Sequence, residues 1–516
     1  MNESRFLSWI TIIVLLTSII TFWFYRLDCL PGLHGDEAWF GLKAFEYLGT
    51  GIDKPYGMRN YTGILQALAV SIAFKYFDIG IFQLRTGGLL FNVISLTILT
   101  FYFICKVNQK SAVILLLLFS QSALYMIYPK IAWEVNSFNL FLVVLFLISS
   151  LEIAQMEGGS NIGLNFVFLG SCFLGTYNHI IFSCLPVSVF SGLVIWMLYN
   201  KNFKYMVLVS MLFINCINII ILYLLTQTIV DQLWHFLNNR LFILIVMLIV
   251  LESVFLQQLT DYVLPKLTAI LNKIVIPGFS IKYLLVIASV IFLLLHGVTF
   301  WQIATNKVLL LRVYSYEPPL WLNILFIISG SMILMYIIGC LIIDILKNSD
   351  QPWAFIIVAY LGLFSIYAAD TSIRYYLTIF AIIFIYMSYK MTCKQKTAMI
   401  HNGITCMLVL VFMLIQSTLW ILSSNTHREL RALHFPLGHT RVETSAHFLP
   451  FEPVMEFLYK SRAGKISTSE KFFIGNTFNF YKLIHPEIKK LPGTASIEYD
   501  YVTYGDGFKK GLIHPY

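Results

Sequence analysis

Charge is what this chain has least of. Only 12% of its 516 residues are Asp, Glu, Lys or Arg, while 58% are hydrophobic. Soluble domains carry roughly 25% charge, so a soluble globular enzyme is excluded. Period-two alternation of apolar and polar residues is missing as well, which excludes a membrane β-barrel. The eight cysteines lie mostly inside apolar runs (Cys105, Cys172, Cys184, Cys216, Cys340, Cys406) and never form CxxC. A disulfide framework or cysteine metal site is therefore not expected. Repeats and low-complexity tracts are absent. What is present is a succession of apolar runs of about 20 residues, the length that spans a bilayer. The fold class is an all-α polytopic membrane protein.

Spans are expected near 6–25, 86–105, 111–127, 137–153, 163–178, 180–199, 205–226, 241–256, 283–304, 320–345, 353–369, 375–392 and 403–424, about 13 crossings. The net charge of +9 is read as positive-inside loops and lipid-surface anchors, not as a nucleic-acid surface. Lysines at 106–110, 201–204, 266–282, 347 and 390–396 fall on one side only if the apolar stretch 61–77 does not cross. That stretch is expected to lie in the interface, with Lys75 snorkelling. The N-terminus is then inside, with a first span that reads as a retained signal anchor. Segments 26–85 and 128–136, the corner at 177–179 and the tail are outside. The chain divides into a membrane module, 1–424, and a charged, aromatic C-terminal extracytoplasmic domain, 425–516. The membrane expected is the plasma (inner) membrane, with the functional face periplasmic or extracellular.

Carboxylates are rare enough for an adjacent pair to matter. Asp36 and Glu37 open a short amphipathic helix expected to run to Leu48, with Asp36 at or beside the N-cap and Gly49 after the end. The plain alternative is a cap and a favourable first-turn charge. Lys54 follows in Asp53-Lys-Pro-Tyr56. Arg85 stands at the outer edge of the second crossing, against the positive-inside trend, which suggests an anionic partner. The next outer loop supplies Lys130 and Glu134. His179 sits in Tyr177-Asn-His179, where a satisfied interfacial histidine is the commoner role. Asp370 and Arg374 are four apart, which suits an i,i+4 ion pair or, for Arg374 with Tyr375 beside it, a phosphate site.

The stretch Asp36-Glu-Ala-Trp-Phe-Gly-Leu-Lys-Ala-Phe-Glu-Tyr-Leu-Gly-Thr-Gly51 resembles the first outer-loop motif of the GT-C membrane glycosyltransferases. Within them it is most similar to the branch holding the dolichyl-phosphate-mannose–protein mannosyltransferases and the bacterial aminoarabinose transferases of lipid A. Lys54-Pro-Tyr56 resembles their Lys-Pro-Pro segment, with Tyr56 in place of the second proline. Leu84-Arg-Thr-Gly-Gly88 is similar to their Arg-Leu-Pro-Ser motif, Lys130-Ile-Ala-Trp-Glu134 to their second loop, and Arg374-Tyr-Tyr-Leu377 to their late Arg-Tyr-Leu motif. The middle of the chain, 200–350, carries no such motif.

The resemblance implies a GT-C-like bundle that transfers a sugar from a polyprenyl-phosphate-linked donor on the outer face. The acceptor would be a glycan, glycolipid or protein. Asp36 would be the general base. Glu37 or Glu134 would orient the acceptor or hold a divalent cation, since metal dependence varies in the family. Arg85, Arg374, Lys54 and Lys130 would meet the lipid phosphate, with Tyr375 and His179 lining the substrate. Other classes remain: a transporter or flippase, which would place charges at mid-bilayer depth, a polymerase or ligase of lipid-linked glycans, and a structural subunit.

Overall fold

The computed structural model describes residues 3–52, 54, 56–59, 61–155, 161–228, 278–306, 309–310, 318–347, 351–366, 373–393 and 398–424, with 466–467, 471–485, 499–502 and 514–515 in the tail. The apolar runs become helices: α1 Glu3–Phe24, α2 Gly35–Thr50, α3 Leu65–Tyr76, α4 Ile81–Lys106, α5 Gln109–Ser120, α6 Ala123–Ile127, α7 Glu134–Ser137, α8 Asn139–Gln155, α9 Ile162–Asn178, α10 Cys184–Asn200 and α11 Met206–Thr228. They continue with α12 Gly278–Ala304, α13 Leu320–Leu346, α14 Trp353–Ile366, α15 Leu377–Cys393, α16 Ala398–Ser424 and, in the tail, α17 Lys471–Ile484. Short 3₁₀ turns cover Tyr128–Lys130, Ile180–Ser183 and Ile373–Tyr376, and three very short strands lie in the tail.

Among the described residues, seven helices are long and apolar enough to cross a membrane: 6–24, 81–106, 180–200, 285–304, 320–346, 373–392 and 403–422. Their outer faces are greasy. Leu294 is 80% exposed and Leu320 76%, as suits side chains that meet lipid. The chain is a multi-pass membrane protein. The spans expected at 137–153, 163–178 and 205–226 are helical too, as α8, α9 and α11, and the described part of 353–369 is α14. The span expected at 241–256 lies outside the described residues. Helix α3 has 12 residues, about 18 Å, which is short of the roughly 30 Å hydrocarbon core.

The span expected at 111–127 is not a single straight helix. Helix α5 ends at Ser120, and the 123–130 segment leaves at 80° to it. A break inside a membrane frees backbone groups that need partners, and distant side chains supply them. The Asn306 amide accepts from Ala123 N–H at 2.8 Å and donates to Gln121 C=O at 3.0 Å. Gln416 donates to Ser120 C=O at 3.0 Å.

The helices share a polarity. Helices α4 and α15 both start near Arg85 and Arg374, and they end at Lys106 and Lys390. At that far end Lys106 pairs with Glu152 at 2.8 Å, Lys390 pairs with Asp344, and the Ser111 and Thr392 hydroxyls hydrogen-bond. Asp36, Glu37, Glu134, Arg85 and Arg374 thus lie at one end of the bundle, and the Lys106–Glu152 and Lys390–Asp344 pairs at the other.

Helix α17 packs onto α2. Phe480 and Tyr481 are buried in one cluster with Phe40, Ala44, Val70, Phe74 and Leu84. Gly41 permits this, because a Cβ there would fall on the Phe480 ring. The tail helix therefore completes the core of the first loop.

Candidate active site

The site begins with a structural anchor. Glu37 is fully buried and accepts four hydrogen bonds: from Arg85 Nε (2.9 Å), Arg85 Nη2 (2.9 Å), His34 N (3.0 Å) and Ala132 N (2.7 Å). Arg85, equally sealed, spends its remaining donors on the carbonyls of Leu27, Pro31 and Gly32 at 2.8–3.1 Å. The bidentate fork is the geometry that stabilises a buried pair. It ties together the α1–α2 turn, the first turn of α2, α4 and the 131–134 turn. The anion expected for Arg85 is therefore Glu37 of the same chain, and both groups are occupied by structure.

The N-cap of α2 is His34, not Asp36. Its Nδ1 accepts from Asp36 N at 3.0 Å, and Glu37 at the third helical position bonds back to His34 N. The helix runs two residues past Leu48 and ends at Gly51, whose φ of +77° is where glycine is favoured. Glu37 thus points into the anchor. Asp36, one residue earlier and 6% exposed, points the other way.

Asp36 Oδ2 accepts from Arg374 Nη1 at 3.0 Å. The guanidinium lies 4.4 Å over the Trp133 ring and 5.4 Å from the Tyr375 ring centre, so two aromatic faces hold its plane. The edge of His34 meets Trp133 at 4.6 Å. The i,i+4 partner expected for Arg374, Asp370, lies outside the described residues.

Glu134 opens α7 and is buried. Burial pushes its carboxyl above the ordinary range, Arg374 opposes this, and Asp36 reinforces it. His179 Nε2 lies 4.0 Å from Glu134 Oε1. Burial first, and Arg374 second, drive the imidazole down to about 3, so it is neutral at physiological pH. Its Nδ1 accepts from Ile181 N at 3.1 Å. This assigns the single ring proton to Nε2, facing Glu134. The contact is a neutral donor facing a carboxyl, not a salt bridge. The Tyr375 ring stands 5.1 Å from His179 and the Tyr61 ring 5.5 Å from it, edge to face.

Backbone stitches hold the corner in register. Thr62 and His179 form an antiparallel bridge, Gly63 N bonds Asn178 O (3.0 Å) and Ile180 N bonds Tyr61 O (3.1 Å). A Cβ on Gly63 would come 2.6 Å from Tyr177 O. Asn178 Nδ2 donates to Glu134 O at 2.7 Å.

Four remote segments thus bring together Asp36, Glu134, His179, Arg374 and Tyr375. Two expected cations lie elsewhere. Lys130 is buried, donates to Tyr25 O at 2.8 Å and sits 5.0 Å over Phe22, so it binds a carbonyl at the end of α1. Lys54 is exposed, with its Nζ 5.5 Å over the Tyr56 ring. His34 and Trp133 are site residues to which the sequence assigned no role. Both stand beside charged neighbours in motifs already singled out. A divalent cation does not fit Glu37, whose oxygens are already taken. Among the described residues no three His, Cys, Asp or Glu side chains converge on a metal position.

No family model matches the chain, and no curated protein matches it either. Among solved structures, the chain is similar to ArnT from Cupriavidus metallidurans in the apo state, with a TM-score of 0.34 and 11% identity over 73% of this chain and 77% of that one. The same protein bound to undecaprenyl phosphate gives a TM-score of 0.33, with 11% identity over the same shares. Likeness at that level assigns neither activity nor substrate.

Proposed function

We propose that this protein is an integral membrane glycosyltransferase of GT-C type. It moves a sugar from a polyprenyl-phosphate donor to an acceptor hydroxyl at the outer face of the membrane. The observation that carries the reading is the convergence of Asp36, Glu134, His179 and Arg374 at one end of the bundle. Asp36, Glu134 and Arg374 fall, in that order along the chain, in the motifs that resemble the GT-C enzymes.

The roles follow from the chemistry. Asp36 takes the proton of the acceptor hydroxyl as its oxygen bonds to the anomeric carbon. The bond from that carbon to the phosphate oxygen breaks in the same step, its electron pair leaves with the polyprenyl phosphate, and the configuration inverts. Arg374 meets the charge that develops on the leaving oxygen. Such stabilisation is usually the largest catalytic term, and a guanidinium held over Trp133 is already oriented for it. Glu134 and the Nε2 proton of His179 orient the acceptor. Glu37 and Arg85 position Asp36 by fixing the first turn of α2, and Lys54 stands at the surface where a lipid headgroup arrives.

Purified protein incubated with a panel of radiolabelled polyprenyl-phosphate sugars and extracted envelope glycolipids, glycans or proteins tests the reading. Label transfer from one donor, abolished in Arg374→Ala, is the expected result. A flippase would move donor across a vesicle without transferring the sugar, and a glycan polymerase would need a lipid-linked oligosaccharide donor.

A further inference from the structure

The proposed reading asks two things of one pair of side chains. Asp36 must be free to take a proton, and Arg374 must be free to meet a phosphate. In the structure each engages the other at 3.0 Å, with side chains only 9% and 15% exposed. The bond turns Asp36 Oδ2 toward Arg374 and leaves a carboxylate held in an ion pair with less of its acceptor capacity open to an incoming hydroxyl. A guanidinium donating to a carboxylate has fewer donors left for a phosphate. The other neighbours of Arg374, Trp133 and Tyr375, lie against its flat face and leave the donor edge for hydrogen bonds. Asp36 cannot readily follow a displaced arginine, because the Glu37–Arg85 anchor and the His34 cap hold its helical turn.

Resting on that reading, we infer that the Asp36–Arg374 ion pair is a donor-operated latch. The phosphate of an incoming polyprenyl-phosphate donor takes over Arg374, and only then is Asp36 released to act as base. A phosphate can engage the fork in two bonds where the Asp36 contact uses one nitrogen, so the exchange favours the donor. The consequence is ordered binding, donor before acceptor. The base stays engaged while no lipid phosphate is in place.

A latch lowers apparent donor affinity, because only the open fraction binds. Binding of undecaprenyl phosphate to the full-length protein in phosphatidylcholine nanodiscs provides the test, with inorganic phosphate as the control for the lipid. Asp36→Asn should bind the lipid phosphate about fivefold more tightly than wild type, the upper end for an ion pair that solvent still reaches. In an Arg374→Ala background the same substitution should change affinity far less. Equal or weaker binding by Asp36→Asn overturns the latch and leaves the glycosyltransferase reading standing. The same gain in both backgrounds overturns it too, because simple repulsion between Asp36 and phosphate then explains it. Failure of the wild type to bind any polyprenyl phosphate overturns the functional reading itself, and the latch with it. A second measurement needs no variant. A hydrophobic carbodiimide, read by mass spectrometry on wild-type protein, should label Asp36 more once undecaprenyl phosphate is added. Unchanged or reduced labelling contradicts release.

Discussion

Two adjacent carboxylates in this chain have opposite fates, and backbone direction explains why. Glu37 faces the anchor and Asp36 faces Arg374, so substitution should separate stability from activity. Glu37→Gln leaves Arg85 buried without its counter-charge and should cost about 3–5 kcal/mol, seen as a lowered unfolding midpoint in detergent. His179 adds a pH dependence. Its imidazole is held at about 3 in the folded state against an ordinary 6.5. A depressed histidine contributes stability that is complete above about 6.5 and is lost as pH falls from there toward 3. Thermal unfolding should show that loss in wild type, and His179→Gln should be flatter over the window. Glu134 works in the opposite sense, because its raised carboxyl favours the folded state most at low pH. That contribution fades as pH rises through its folded value. The sequence makes Asp36, Glu134 and Arg374 candidates through scarcity and position. It does not show that Asp36 meets Arg374, because they lie 338 residues apart. Arg85 was expected to meet a lipid phosphate because it breaks the positive-inside trend. The anion it meets is Glu37, 48 residues away.

At the scale of elements, hydropathy locates helices well and their breaks poorly. The apolar run at 111–127 reads as one span because leucines continue through it. The groups that stabilise its 80° bend, Asn306 and Gln416, come from remote helices. Asn306→Ala should therefore leave Ala123 N–H and Gln121 C=O unpaired in an apolar interior, at about 1–3 kcal/mol for each group. A drop in thermal stability with the lysine-end contacts intact is the expected outcome. The contact between α2 and α17 makes a second prediction at this scale. Gly41→Leu places a side chain where Phe480 sits, so the tail helix should become sensitive to limited proteolysis in membranes. Composition marks 425–516 off from the membrane module by a change in character. It gives no sign that Phe480 and Tyr481 belong to the core of the first loop.

At the scale of the whole molecule, one organisation underlies the account: Asp36, Glu134, His179 and Arg374 meet at one end of the bundle, and the Lys106–Glu152 and Lys390–Asp344 pairs close the other. The multi-pass helical class was legible from the long apolar runs alone. Lysines counted over several loops give an expected sidedness, and helices α4 and α15 run in a common direction. Single cysteines at Lys54 and Lys106 in a cysteine-free background should react differently with an impermeant maleimide on intact cells, Lys54 labelling and Lys106 protected. The central claim is that Asp36 is the base of a sugar transfer from a lipid phosphate. Its most direct test is the rate of label transfer by Asp36→Asn with the polyprenyl-phosphate sugar that the wild type uses. The account predicts loss of at least about a hundredfold, the lower range for a general base, with lipid-phosphate binding retained. Transfer at the wild-type rate by folded Asp36→Asn protein would contradict it.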